Sequence, residues 1–129
     1  MAKIEKFEDL EIWRLAREIC QQIENLIQTT SLKTNYALKD QIDRSSGSIM
    51  DNIAEGFERN GNREFINFLS IAKGSAGEVK SQSYRAFDKN LISEEQHLKL
   101  NEKVELVKNK IGAMMNYLNK CKIKGLKFK

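Results

Sequence analysis

The stretch "RSSGSIMDNIAEGFERNGNREF" (Arg44–Phe65) decides how this chain folds. Its glycines and serines read as loop. Yet Ser45, Ile49, Ile53 and Gly56 recur at steps of four, four and three, the spacing of one helix face. Only "RNGN" (59–62) is a true break, because Asn-Gly tolerates the left-handed backbone that interrupts a helix. The stretch therefore reads as the end of one helix, a tight turn and the start of another.

Working outward, Leu38 and Ile42 extend the first stripe and predict a helix from about Tyr36 to Phe57. On the other side, Phe65, Leu69, Ala72, Ala76, Val79, Ser83 and Ala86 predict a helix from about Arg63 to Asp88. In "FINFLSIA" (65–72) only Asn67 and Ser70 are polar. A helix that apolar is covered on more than one face. Phe65, Ile66, Phe68 and Ile71 are accordingly nominated as a subunit interface.

Two more helices follow from the same periodicity. Ile12, Ala16, Ile19, Ile23 and Leu26 form a stripe on a helix that starts near residues 7–9 and ends by Thr29, widened by Trp13, Cys20 and Ile27. "TTSLKTN" (29–35) then offers several N-caps. "ISEEQ" (92–96) opens the last helix: Ser93 and Gln96 make a capping box, with Glu94 and Glu95 at the positive helix end. Leu100, Val104, Val107, Ile111, Met114, Leu118 and Cys121 continue it as a heptad. Short connections between four such helices predict an all-α, up-down-up-down antiparallel four-helix bundle.

Composition agrees. The 129 residues suit a single domain, 1–129, with a basic flexible tail from about 121. Proline, which breaks helices, is absent. No apolar run approaches the roughly 20 residues of a membrane span, and the N-terminus lacks a signal-peptide core. The expectation is a cytoplasmic protein without a membrane partner.

Folding the hairpin about Asn60 and Gly61 sets Gly47 opposite Gly74, and "SSGS" (45–48) opposite "KGSA" (73–76). Small side chains let helix backbones approach closely. The same folding brings Arg44 near Glu78 as an ion pair that would fix the register. Asn52 and Glu55 share a helix face. They cap a turn, join a polar network between the helices, or bind a ligand.

Catalytic chemistry finds little support. The lone histidine, His97, gives one formal Glu-x-x-His match with Glu94, where a di-iron bundle needs two and further glutamates. It reads as a surface histidine. "GNREF" and "GSAGE" lack the Gly-Lys-Ser/Thr ending of a phosphate loop. No Ser-His-acid or Cys-His set has supporting spacing. Cys20 and Cys121 are too far apart for a zinc motif and read as buried or partly buried thiols. No catalytic residue, metal or cofactor is nominated, and the chain reads as a non-enzyme.

Charge is uneven. Residues 103–129 hold eight lysines against Glu105, whereas residues 1–102 hold 14 basic and 17 acidic groups, for a net of +4 overall. The end "NKCKIKGLKFK" (119–129) either grips phosphates or is a solvated tail.

"FEDLEIWRLAREI" (7–19), "QIDRSSGSIMDNIAEGFERNGNREFINFLSIAKGSAGEVKSQ" (41–82) and "LISEEQ" (91–96) resemble the four-helix bundle family encoded in intervening sequences of bacterial 23S rRNA genes. The resemblance runs to about residue 120. It implies a bundle that assembles as a homopentamer. That family is in turn similar to the accessory variability determinant proteins of diversity-generating retroelements, which bind nucleic acid and a reverse transcriptase. Two departures stand out: Met50 stands where the family usually has a helix-kinking proline, and Asp43-Arg44 where it often has a basic pair.

Two functional expectations follow. The leading one is an oligomeric scaffold that binds RNA or DNA through its backbone, using Arg59, Arg63, Lys108, Lys110, Lys120, Lys122, Lys124 and Lys127. The rival is a protein-interaction module, an accessory partner of a reverse transcriptase or a ribosome-associated factor, that docks through the start of the third helix near Ile66 and Ile71.

Overall fold

The computed structural model describes residues 4–121. Among them are four long helices and no strand: α1 (Glu11–Thr29), α2 (Tyr36–Glu58), α3 (Asn62–Asp88) and α4 (Glu94–Lys120). Short 3-10 turns at Phe7–Asp9 and Ser31–Thr34 precede α1 and α2. The main contacts run from α1 to α2, α2 to α3, α3 to α4 and back from α4 to α1. That cyclic order is the one an up-down-up-down bundle produces. The proposed tail, with Lys122, Lys124 and Lys127, falls outside the described residues beyond Cys121.

The stripes form the core. All five α1 stripe residues are buried, as are Leu38, Ile42, Ser45, Ile49, Ile53 and Gly56 of α2 and every α3 stripe residue from Phe65 to Ala86. On α4, Leu100, Val104, Val107, Ile111 and Leu118 are buried, and Met114 and Cys121 are half-buried. Burying an aliphatic side chain contributes about 2 kcal/mol. The α1 stripe thus outweighs the few tenths of a kcal/mol by which each isoleucine disfavours a helix.

The chain's own side chains set the boundaries. Thr30 Oγ1 accepts from Leu32 N–H at 3.1 Å and caps the second 3-10 turn. Asn35 Oδ1 accepts from Leu38 N–H at 3.1 Å and caps α2. Gly61, at φ 99°, supplies the left-handed step between α2 and α3. Asn90, at φ 61°, ends α3 in a Schellman arrangement, with Leu91 N–H on Ala86 O and Asn90 N–H on Phe87 O, both at 2.9 Å. Ser93 and Gln96 close the capping box of α4 in both directions, at 3.1 and 2.8 Å.

Met50 sits within an uninterrupted α2. Without proline's missing N–H, nothing there forces the helix to break.

Candidate functional site on the second and third helices

A polar seam joins α2 to α3. Ser48 and Ser75 meet hydroxyl to hydroxyl at 2.8 Å. Asn52 Nδ2 donates to the Ser48 carbonyl at 2.8 Å and to Ser48 Oγ at 2.9 Å. Ser48 Oγ accepts from Asn52 and shares a hydrogen with Ser75 Oγ, so the three residues form one hydrogen-bonded chain. Asn52 is thereby tied to the helix seam. Glu55 instead accepts from Arg59 one turn on, at 2.8 Å, and does not cross between helices.

Next to the seam lies an open groove of about 500 Å³. Gln41, Arg44, Ser45 and Ser48 line it from α2; Glu78, Gln82 and Arg85 line it from α3. Arg85 Nη1 donates to Gln41 Oε1 at 2.8 Å and bridges the helices at one end. Arg44 and Glu78 do share this groove, but both are exposed and no ion pair joins them. In place of the expected register-fixing pair, the neutral Ser48–Ser75 bond and the charge-assisted Gln41–Arg85 bond join the helices. Gln82 Oε1 is buried and meets no protein donor. The sequence offered Arg44 and Glu78; Gln41 and Ser48 lie three and four residues from the first, and Gln82 and Arg85 four and seven from the second, so helical spacing would have supplied most of the lining.

Gly47 and Gly74 do not bring the backbones together. A Cβ added to either would meet nothing within 4 Å. The Ser48–Ser75 pairing lies one residue beyond the one centred on Asn60–Gly61, which turns both glycines off the seam. The glycine that permits close approach is Gly56, where a Cβ would lie 2.7 Å from Phe68 Cβ and 2.9 Å from Phe65 Cδ1.

The nominated interface residues divide. Phe65 is wholly enclosed and packs edge-on to Phe57 at 6.1 Å, so it belongs to the core, as its place on the α3 stripe dictates. Ile66 is half-buried against that core, and Phe68 is half-buried beneath the Arg59 guanidinium, 5.0 Å from its ring. Ile71 is 52% exposed.

Most nominated cations on the described helices are matched by carboxylates. Arg59 pairs with Glu55 at 2.8 Å and Glu64 at 3.9 Å. Lys108 pairs with Glu105 at 3.3 Å and Lys110 with Glu11 at 3.3 Å. Lys80 also reaches Glu105, at 3.0 Å, and Lys103 reaches Glu18 at 2.8 Å. The Lys80 hydrogen bond, then that of Lys108, holds the Glu105 carboxyl below the usual carboxylate range, and Glu105 in turn lifts Lys80. Arg63 and Lys120 are exposed. Residues 4–121 contain 17 Lys and Arg against 18 Asp and Glu, a balance of −1; Lys3, Lys122, Lys124, Lys127 and Lys129 lie outside them.

His97 is not a surface residue. It is 3% exposed, with Nδ1 at 2.7 Å from Ser83 Oγ and Nε2 at 3.3 Å from Asn101 Nδ2. Phe87 stacks on its ring at 5.2 Å and Tyr84 meets it edge-on at 4.4 Å. Counting back from Leu100 and Val104 places position 97 on the α4 stripe, a phase that the surrounding Glu, Gln and Lys residues mask. Both cysteines are half-buried, and burial pushes the Cys20 thiol up. Among the described residues no three His, Cys, Asp or Glu side chains cluster as a metal-binding set. No described helix is long and apolar enough to cross a membrane.

A search of curated proteins gives no match. Among solved structures, the fold is similar to that of a protein of unknown function from the S23 ribosomal protein family of Bacteroides thetaiotaomicron. The TM-score is 0.73 at 23% identity, over 81% of this chain and 97% of that one. At that identity the likeness concerns the fold. The profile of the 23S rRNA-intervening sequence protein family matches residues 8–113. The length of that match, on a bundle whose helical stripes form the core as the sequence requires, shows that the chain belongs to the 23S rRNA-intervening sequence protein family.

Proposed function

We propose that this protein is a non-enzymatic helical scaffold that binds RNA through phosphate contacts and does so as a homo-oligomer, with a pentamer as the expected assembly. The observation that carries the reading is the separation of charge. Residues 4–121 carry 17 Lys and Arg against 18 Asp and Glu, with Lys80, Lys103, Lys108 and Lys110 paired to carboxylates, while five lysines lie outside those residues, four of them at 122–129. The contact set therefore shifts from Lys108 and Lys110, which are paired, toward Lys120, Lys122, Lys124 and Lys127, with Arg63 as an exposed addition. The family's link to an rRNA gene makes RNA the first nucleic acid to try. Several copies of so short a basic segment would gain by avidity.

The test is binding of a 20-nucleotide single-stranded RNA by fluorescence anisotropy from 50 to 300 mM salt. A steep fall is expected, with a log–log slope of about −3 for four or five phosphate contacts. Replacing Lys122, Lys124 and Lys127 with alanine should flatten it. Absence of binding at 50 mM salt, or binding indifferent to salt, would overturn the reading.

One observation favours a second reading, a protein-docking module. Ile71 on α3 and Leu98 and Leu106 on α4 are large apolar side chains left exposed. Co-purification that survives nuclease treatment would favour it.

A further inference from the structure

We infer that the groove between α2 and α3 is a nucleotide pocket selective for guanine, a reading that rests on the proposed RNA binding and gives it base specificity. The argument is from charge and hydrogen-bonding capacity.

Arg44 and Arg85 enter the groove from opposite helices, and Glu78 stands on the α3 wall. Gln41 occupies one edge of the Arg85 guanidinium; the remaining N–H groups of that fork are available. No ion pair holds Arg44 or Glu78. Gln82 lines the groove, and its carboxamide oxygen is buried with no protein donor, which leaves an acceptor unmet at the groove wall.

A ligand that satisfies this lining must present acceptors to two guanidiniums and donors to a carboxylate. A simple anion answers the arginines but is repelled by Glu78. A basic side chain answers Glu78 but is repelled by both arginines. A nucleotide carries both kinds of group: a phosphate, and a base with its own N–H donors. Among bases, guanine alone places two adjacent donors, N1–H and the N2 amino group, where a carboxylate accepts both. On its other edge it offers O6 and N7, the pair that a guanidinium bridges. Adenine and cytosine set an acceptor beside their amino group, which a carboxylate repels. The two arginines then divide the O6/N7 edge and the phosphate between them. A groove of about 500 Å³ accommodates a single nucleotide, and unstacked bases of single-stranded RNA are what proteins read in this way.

The test uses mononucleotides, which lack the run of phosphates that a lysine tail needs. The full chain is titrated with 5′-GMP and 5′-AMP, followed by calorimetry and by NMR shifts of the Arg and Gln side chains. GMP should bind about tenfold or more tightly than AMP, as one good bidentate base contact provides. Glu78→Gln, an isosteric change at an exposed position, should cut the preference several-fold, the arginine contact to O6 and N7 keeping the remainder. Inosine monophosphate, lacking the N2 amino group, should fall between them. No GMP binding, equal binding of GMP and AMP, or an undiminished preference in E78Q would overturn the pocket. The salt-dependent RNA titration is read separately from these results, so failure of the pocket is told apart from failure of RNA binding.

Discussion

Ser48 and Ser75 meet at 2.8 Å with Asn52 donating into the pair from one turn away, so a chain of three small polar side chains fastens α2 to α3 where two arginine–glutamate partners were expected. A neutral bond of this kind contributes about 1 kcal/mol, and removing one partner leaves the other short of a bond. Ser75→Ala should therefore lower unfolding free energy by about 1 kcal/mol in denaturant melts. Adding Ser48→Ala should cost less than the sum of the two single changes, because both break the same contact. Strict additivity would show that the hydroxyls do not interact.

Glycines on the two faces of α2 should respond in opposite directions. Gly56→Ala drives a methyl into Phe68 and Phe65 and should destabilise by about 1–3 kcal/mol. Gly47→Ala enters open space within a helix and should stabilise by up to about 1 kcal/mol. Thermal melts of the two variants decide the matter; a destabilised G47A would mean that another chain covers that face.

Glu105 gives a pH dependence of known sign. Lys80, then Lys108, lowers its folded-state pKa beneath the unfolded value. Its contribution is therefore complete above the unfolded pKa and is lost as pH falls through the folded one. Glu105→Gln should melt below the parent at pH 7. The gap should close as the pH is lowered until the parent's carboxyl is protonated too. A gap that stays constant down to the acid limit would refute the linkage.

His97 should behave as a core residue. His97→Ala removes a stacked ring and strands the buried Ser83 hydroxyl, for a loss of about 3 kcal/mol. A surface histidine would cost nearly nothing, so chemical denaturation separates the two cases cleanly.

These residues also mark how far the sequence could be read. The four stripes were legible because burial follows the helical period: every residue of the central stripes on α1, α2 and α3 is buried, and Trp13, Cys20 and Ile27 at the flank of the first are half-buried. Phe65 and His97 both obeyed it. The apolar neighbours of Phe65 point it outward as well, and the place of His97 alone in the first turn of a helix reads as surface; in each, the helical phase decides. The groove was half legible. Folding the hairpin on paper brought Arg44 and Glu78 to one place, but a shift of one residue in register rotated Gly47 and Gly74 away and put serines in contact. Register between helices depends on side-chain fit, which spacing along one chain does not encode.

The balance of charge within residues 4–121 has a practical corollary. Removing residues 1–3 and 122–129 would convert a protein of pI about 9.1 into one with a balance of −1. The intact and trimmed forms would then part company on ion-exchange resins, the first retained by a cation exchanger at neutral pH and the second passing through it. Nucleic acid is itself a polyanionic surface, so the RNA binding proposed above should be lost with the same cut.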